Sequence, residues 1–185
     1  MPAPYADVVS TLSIKENMKR ILSIIIATLF IALSAKGQNF VFIGKNSFPS
    51  TEKFTLQSNS DKEYINDLKL AFAKDGEKEL IVVSSKLTES VKIAGKLIIY
   101  LDDGTVISCK DRGINDNVDD IAISAYYLTP EDLTEMETSN LNTIRYQIKC
   151  PVCGLINSWE GNYSASNKGD SMIDFPIIIT EFYSK

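Results

Sequence analysis

The chain has no histidine among its 185 residues, only three cysteines and one tryptophan, and fewer cations than anions, 19 against 24. Without histidine, Ser-His-Asp and Cys-His catalytic machinery and histidine-based metal catalysis are excluded. Three cysteines, Cys109, Cys150 and Cys153, fall short of the four ligands of a structural zinc site, which would then need a carboxylate or a second chain. The acid excess repels phosphate backbones, and no basic stripe interleaved with aromatics offsets it, so nucleic acid is set aside as a partner. Long apolar runs are also missing. The run from Ile21 to Leu33 has thirteen residues, softened by Ser23 and Thr28, whereas a spanning helix needs about twenty.

That short run is informative in its context. It begins after Lys19 and Arg20 and ends in small residues, "MKRILSIIIATLFIALSAKGQ" from Met18, which is the pattern of a secretory signal peptide. Residues 18–37 are therefore expected to be removed, with Ala35 and Gly37 as the small residues before a cut at Gln38. No cysteine follows the run, so no lipid anchor is expected. Residues 1–17 lack apolar periodicity and read as an upstream over-extension of the frame, with Met18 the working start. Residues 38–185 remain as a single exported globular domain, periplasmic or extracellular, with no stable membrane insertion after cleavage. Four cations (Lys15, Lys19, Arg20, Lys36) and two anions (Asp7, Glu16) precede Gln38, which leaves this domain a net charge of −7.

Within it, period-two alternation dominates. Leu68, Leu70 and Phe72 point one way and Lys69, Ala71 and Ala73 the other, a turn follows over Lys74 to Lys78, and Glu79 to Ser85 return as a β-branched strand. A second hairpin is written in Lys96 to Lys110, with an Asp-Asp-Gly turn at Asp102 to Gly104. After a polar loop, Ile121 to Leu128 reads as a strand. Thr129 and Pro130 then open a short helix with Glu131 and Asp132 at its positive end. Asn142 to Cys150 resumes alternation, with Ile144, Tyr146 and Ile148 opposite Arg145, Gln147 and Lys149. Asp174 to Tyr183 fits a capped helix by spacing and a strand by its β-branched run Ile177 to Thr180; the cap and Pro176 favour the helix. The expected class is α+β and β-rich, an antiparallel sheet of hairpins with one or two helices.

The stretch "IKCPVCGLI", Ile148 to Ile156, admits three chemistries. "CPVCG" resembles the knuckle of zinc ribbons and rubredoxins over five residues, but the second half is missing. A Cys-Pro-x-Cys pair is also similar to that of glutaredoxin-like proteins, in which a helix N-terminus stabilises the attacking thiolate. Here Gly154 follows Cys153 at once and no helical period begins. A structural disulfide suits the exported compartment best, either as a local Cys150–Cys153 loop or as a long-range bridge from Cys109.

Other constellations are weaker. The acidic loop "DRGINDNVDD" offers Asp111, Asn115, Asn117 and Asp119 as calcium ligands, without the glycine and closing glutamate of an EF-hand. "STEK", Ser50 to Lys53, spells Ser-x-x-Lys without its partner motifs, and Ser50 reads as a turn or cap. Asp102, Asp103, Glu131 and Glu160 are carboxylates for a hydrolase, with nothing to select a pair.

The signal ending "LSAKGQ", the hairpin "KLIIYLDDGTV" and the "YYLTPEDLTEMETSNLNTIRY" segment together resemble small exported proteins of unknown function from Bacteroidota-type bacteria. The resemblance implies compartment and no activity. The expected function is a non-enzymatic binding or envelope-associated module that needs no cofactor and takes an unknown protein or cell-envelope component as partner. Tyr126, Tyr127, Trp159 and Tyr163 are its candidate contacts, with packing in the sheet as their alternative role. The rival reading is a thiol-disulfide redox protein using Cys150 and Cys153, or a carboxylate-dependent hydrolase. Expressed from its native start in a bacterium, the protein should be recovered outside the cytoplasm with Gln38, free or cyclised, at its N-terminus. Intact mass showing residues 1–17 on the exported form would refute the signal reading.

Overall fold

Strands whose two faces are both apolar need a layer on each side, and this shapes the whole architecture. The computed structural model describes residues 38–88, 90–152, 159–169 and 172–184, all within one compact unit, Gln38–Lys185. In chain order, β1 (Asn39–Ile43) and β2 (Asn46–Ser50) make a hairpin, followed by β3 (Phe54–Ser58), β4 (Leu68–Asp75) and β5 (Lys78–Lys86). Next come β6 (Lys92–Ile93), β7 (Leu97–Leu101), β8 (Val106–Cys109), β9 (Asn115–Val118) and β10 (Ile121–Tyr127). Helix α1 (Pro130–Thr138), β11 (Leu141–Lys149), β12 (Gly161–Ser166) and helix α2 (Phe175–Tyr183) complete the described elements.

All pairings are antiparallel, in the order β8-β7-β11-β12-β3-β4-β5-β10-β9, with β6 added to β11 and the β1–β2 hairpin joined to β4 at Ser50 and Ala73. The expected class holds in its main terms: a β-rich antiparallel sheet of hairpins with two helices. The sheet curls into a half-barrel, and β6 comes against β9 and β10 from the other end. Polar side chains fasten that approach. Asn117 donates its amide to the carbonyls of Thr88 (2.8 Å) and Val91 (2.6 Å), and a backbone bond from Leu87 N–H to the Asp120 carbonyl adds to it.

Two apolar clusters result. Leu68, Leu70 and Phe72 of β4, Ile81 and Val83 of β5, and Tyr126 of β10 enter the main core with Ile99, Ile144, Tyr146, Met136 of α1, and Phe175 and Ile179 of α2. The alternate positions, Ala71, Ala73, Leu80, Val82, Ile123 and Ala125, lie on the outer face and are covered by Val41, Ile43 and Phe48 of the β1–β2 hairpin. Helix α2 is held by ring contacts, Phe175 edge-on to Phe54 (5.7 Å) and Phe72 (6.0 Å). Tyr183 also donates its hydroxyl to the carbonyls of Ala73 and Leu80. This packing decides the C-terminal segment for helix in spite of Ile177 to Thr180, because tertiary burial outweighs intrinsic propensity. Asp174 caps it by accepting from Ile177 N–H. Thr129 caps helix α1 as expected, and the structure adds a capping box, Thr129 and Asp132 each accepting the other's N–H.

Three local expectations are corrected. The first hairpin's turn is only Gly76 and Glu77, since Asp75 already pairs with Lys78 and Gly76 takes φ of +61°. The acidic loop contains a strand, β9, which pairs with β10 through a tight turn at Asp119 and Asp120, both at positive φ (53° and 63°). Aspartate reaches that region more readily than most residues, so two aspartates can do here what Asn-Gly usually does. Ser50 belongs to strand β2 and is buried, with no helix to carry a Ser-x-x-Lys site.

Burial also sets a pH limit. It pushes the Tyr126 phenol from its usual 10.0, and the Cys109 thiol from 9.0, up to about 12, and it raises Tyr146 and Tyr183 in the same direction. The folded state holds these protons after the unfolded chain has lost them, so the stabilisation is whole below about pH 9 and drains away as pH climbs toward 12. Tyr126 alone corresponds to a loss on the order of 3 kcal/mol. Urea midpoints should therefore fall steeply between pH 9 and 11; a constant midpoint over that range would contradict this core.

Candidate functional site

The β3–β4 connection turns back over strand β12. Asn59 donates its N–H to Ser164 O at 2.9 Å and its amide to the hydroxyls of Ser164 and Ser166. Strand β12 pairs with β11 so that Arg145 faces Ser164, Tyr146 faces Tyr163 and Gln147 faces Asn162. Period two therefore sends Tyr146, Tyr163 and Ala165 to the core and leaves Arg145, Gln147, Asn162 and Ser164 outside. Between this outer face and the Asn59–Lys62 segment lies an open cleft of 720 Å³, lined also by Asp61, Glu160 and Gly161.

Aromatic rings form one end of the cleft. Tyr163 is 8% exposed, donates its hydroxyl to Trp159 O at 2.8 Å, and accepts from Lys62 Nζ at 3.1 Å. The Lys62 ammonium lies 5.3 Å from the Tyr163 ring centre and 5.6 Å from that of Tyr64, and Tyr64 meets Trp159 edge-on at 4.6 Å. The hydrogen bonds to Tyr163 and Tyr64 raise the Lys62 pKa, so it stays a cation. A smaller hollow of 230 Å³ continues the cleft past Glu160 and Asn162 to Gln147 and Lys149; a second of the same size, beyond Tyr64 and Trp159, shares no lining residue with the cleft. The track thus offers both charge signs, amides, hydroxyls and partly exposed rings.

Of the four aromatic candidates, Trp159 and Tyr163 meet here. Tyr126 does not reach the surface at all; its side chain is fully buried in the main core. Tyr127 braces β10 against the first hairpin, donating to Asp75 at 2.6 Å with the Lys78 ammonium 5.3 Å from its ring centre. The calcium candidates are dispersed into structural duties. Asp111 accepts the N–H groups of Gly95 and Gly113, Asn117 seals the sheet ends, and Asp119 sits in the β9–β10 turn. Asn115 lies on β9. Among the described residues no group of three or more carboxylates and thiols is placed to hold a metal ion.

Cys109 stands apart from Cys150. Cys109 ends β8 and is a free, buried thiol. The long-range bridge is not formed, because β7 intervenes between β8 and β11 in the sheet. Cys150 follows β11 and donates its N–H to the Glu160 carboxylate at 3.0 Å. Pro151 and Val152 form a turn, so no helix begins at Cys150. Cys153 lies outside the described residues. The hydrolase carboxylates are scattered as well. Asp102 accepts from the Asn142 amide, Glu131 is in the first turn of α1, and Asp103 is held below its usual range by the Thr105 N–H. Only Glu160 belongs to the cleft.

Sequence reasoning missed Lys62, Tyr64, Arg145 and Asn162. The alternation of β11 did place Arg145 and Gln147 on one side, but nothing in the chain announces that Asn59 bonds Ser164 and Ser166, more than a hundred residues further on, and so closes the cleft beside them. Native protein treated with a thiol alkylator near pH 8 should leave Cys109 unmodified in peptide maps, and denaturation should expose it to labelling. Rapid native labelling of Cys109 would contradict its position at the end of β8. Comparison of the chain with protein-family models, characterised proteins and solved structures finds no match.

Proposed function

We propose that residues 38–185 are an exported, non-enzymatic binding module that holds a cell-envelope component or protein in the cleft between β12 and Asn59–Lys62. The observation that carries this reading is the coincidence, in one 720 Å³ cleft, of Arg145, Asn162 and Ser164 on a rigid strand pair with the Lys62, Tyr163 and Trp159 cluster at its end. Side chains on paired strands keep their positions better than loop residues do, and rings give contact area at low entropy cost. The mix of amides, hydroxyls and both charge signs suits a ligand that is itself rich in hydroxyl and amide groups, such as a cell-wall glycopeptide.

Cys150 and Cys153 belong to this reading as a local bridge that closes the turn. Cys109 is free whereas Cys150 is engaged, which supports the assignment. The redox alternative draws no support from the surroundings of Cys150. A carboxylate beside it and a turn after it supply neither the positive charge nor the helix end that favours a thiolate.

Trp159 is the chain's only tryptophan, so its fluorescence reports on the cleft directly. Titration with soluble glycopeptides released enzymatically from bacterial cell walls should change that emission saturably. R145A and N162A should each weaken the affinity by roughly three- to tenfold, the range expected for one or two lost hydrogen bonds. Unchanged affinity in both variants would place the ligand elsewhere.

A further inference from the structure

The β1–β2 hairpin covers the outer face of β4, β5 and β10 only in part. It reaches Ala71, Val82 and Ile123; the next positions on that face are Lys69, Ser84, Lys86 and Ile121. Register brings them together, since Ser84 pairs with Lys69 on one side and with Ile123 on the other, and Lys86 pairs with Ile121. Ser84 is short and 4% exposed, so it makes a floor between two long lysine side chains. Lys53, from the β2–β3 connection, and Asn66 and Asp67 complete the walls of a 510 Å³ pocket.

We infer that this pocket, with Lys53, Lys69 and Lys86 all in its lining around Ser84, is a binding site for an oxyanion group, a phosphate or a carboxylate. Three lysines around one hollow run against the charge of a domain that is −7 overall. Among the described residues no carboxylate forms an ion pair with any of the three; Lys69 donates to the Thr55 hydroxyl, which leaves two of its three N–H bonds for a ligand. Asp67 lines the pocket, but one of its carboxylate oxygens already accepts the Ser58 N–H at 2.9 Å. The walls are braced rather than loose. Ser85 donates to the carbonyls of Asn66 and Asp67, and the Asn66 amide donates to Lys86 O. Ile121, 46% exposed, adds an apolar edge on which the carbon skeleton of an organic anion can rest.

The pocket shares no lining residue with the cleft. A hollow lined by Tyr64, Asn66, Lys86 and Trp159 lies between them and shares Asn66 and Lys86 with the pocket, so an acidic polymer could engage both. The test uses the whole exported domain, titrated calorimetrically with inorganic phosphate in one arm and glucuronate in the other. Ionic strength is kept at about 10 mM, where screening extends over roughly 30 Å. Saturable binding of at least one probe is expected, weakened about tenfold or more in K69A/K86A, because charge-assisted hydrogen bonds are lost. Phosphate alone, or glucuronate alone, assigns the oxyanion type. R145A/N162A should leave both titrations unchanged, which separates this site from the cleft. No saturable binding of either probe, equal affinity in K69A/K86A, or loss in R145A/N162A with K69A/K86A intact would overturn the assignment.

Discussion

The fold depends on one requirement: β4, β5 and β10 must be covered on both faces. Their main-core positions include Leu70, Phe72, Ile81 and Val83, and their outer positions include Leu80, Val82 and Ile123, all buried. Each large apolar side chain removed from water contributes about 1.5–3 kcal/mol, so neither face can be left open. Helix α2 and the far strands answer one demand and the β1–β2 hairpin the other. Tyr183 couples the two ends of this solution. It packs its ring on Phe72 at 6.1 Å and donates to Ala73 O and Leu80 O at the tip of the first hairpin.

Curling follows from the same demand. A flat sheet would leave the inner faces of β7, β11 and β12 unburied, whereas wrapping them toward β5 and β10 joins Ile99, Ile144 and Tyr146 to Phe72 and Tyr126 in one core. The approach of β6 to β9 and β10 buries backbone groups that need partners, and Asn117 supplies two of them by bridging to Thr88 and Val91. The acidic segment is thereby spent on holding the sheet ends. In this way Asp111, Asn117 and Asp119 of an oxygen-rich stretch with the composition of a calcium loop take up structural positions.

Much of this architecture was legible in the chain, and the boundary of legibility is physical. Alternation in Leu68 to Ala73 sorted residues correctly between the two clusters, and Thr129 and Pro130 marked the start of α1. Strand β9 was hidden because Asn115 to Val118 has polar composition and pairs through its backbone, which leaves no hydrophobic period to read. The tight Asp119–Asp120 turn was hidden for a related reason, since its signal is conformational and aspartate there looks like ordinary loop polarity. The sites were less legible than the fold. Trp159 and Tyr163 stood out as aromatics, but their neighbours Lys62 and Tyr64 became meaningful only once β12 paired beside Asn59. Tyr126 failed as a contact because identical side chains at adjacent strand positions face opposite ways: Tyr126 goes to the core and Tyr127 to the surface. For Cys109, strand ends were readable but strand order was not, and order is what keeps it from Cys150.

The distribution of perturbed groups bears on what the cleft can do. In enzymes, acids and bases with shifted pKa values cluster where the substrate lies, because catalysis needs protons held near the point of transfer. Among the described residues the large shifts belong to Cys109, Tyr126, Tyr146 and Tyr183, all caused first by burial in the core and all upward. A buried acid with a raised pKa keeps its proton at neutral pH and is shielded from any ligand. The cleft has Lys62, whose pKa is raised by its tyrosine partners. A lysine acting as a base or nucleophile needs the opposite shift, toward the neutral amine. A lysine held as a cation beside two rings, facing a strand of amides and hydroxyls, is consistent with the binding role proposed for the cleft.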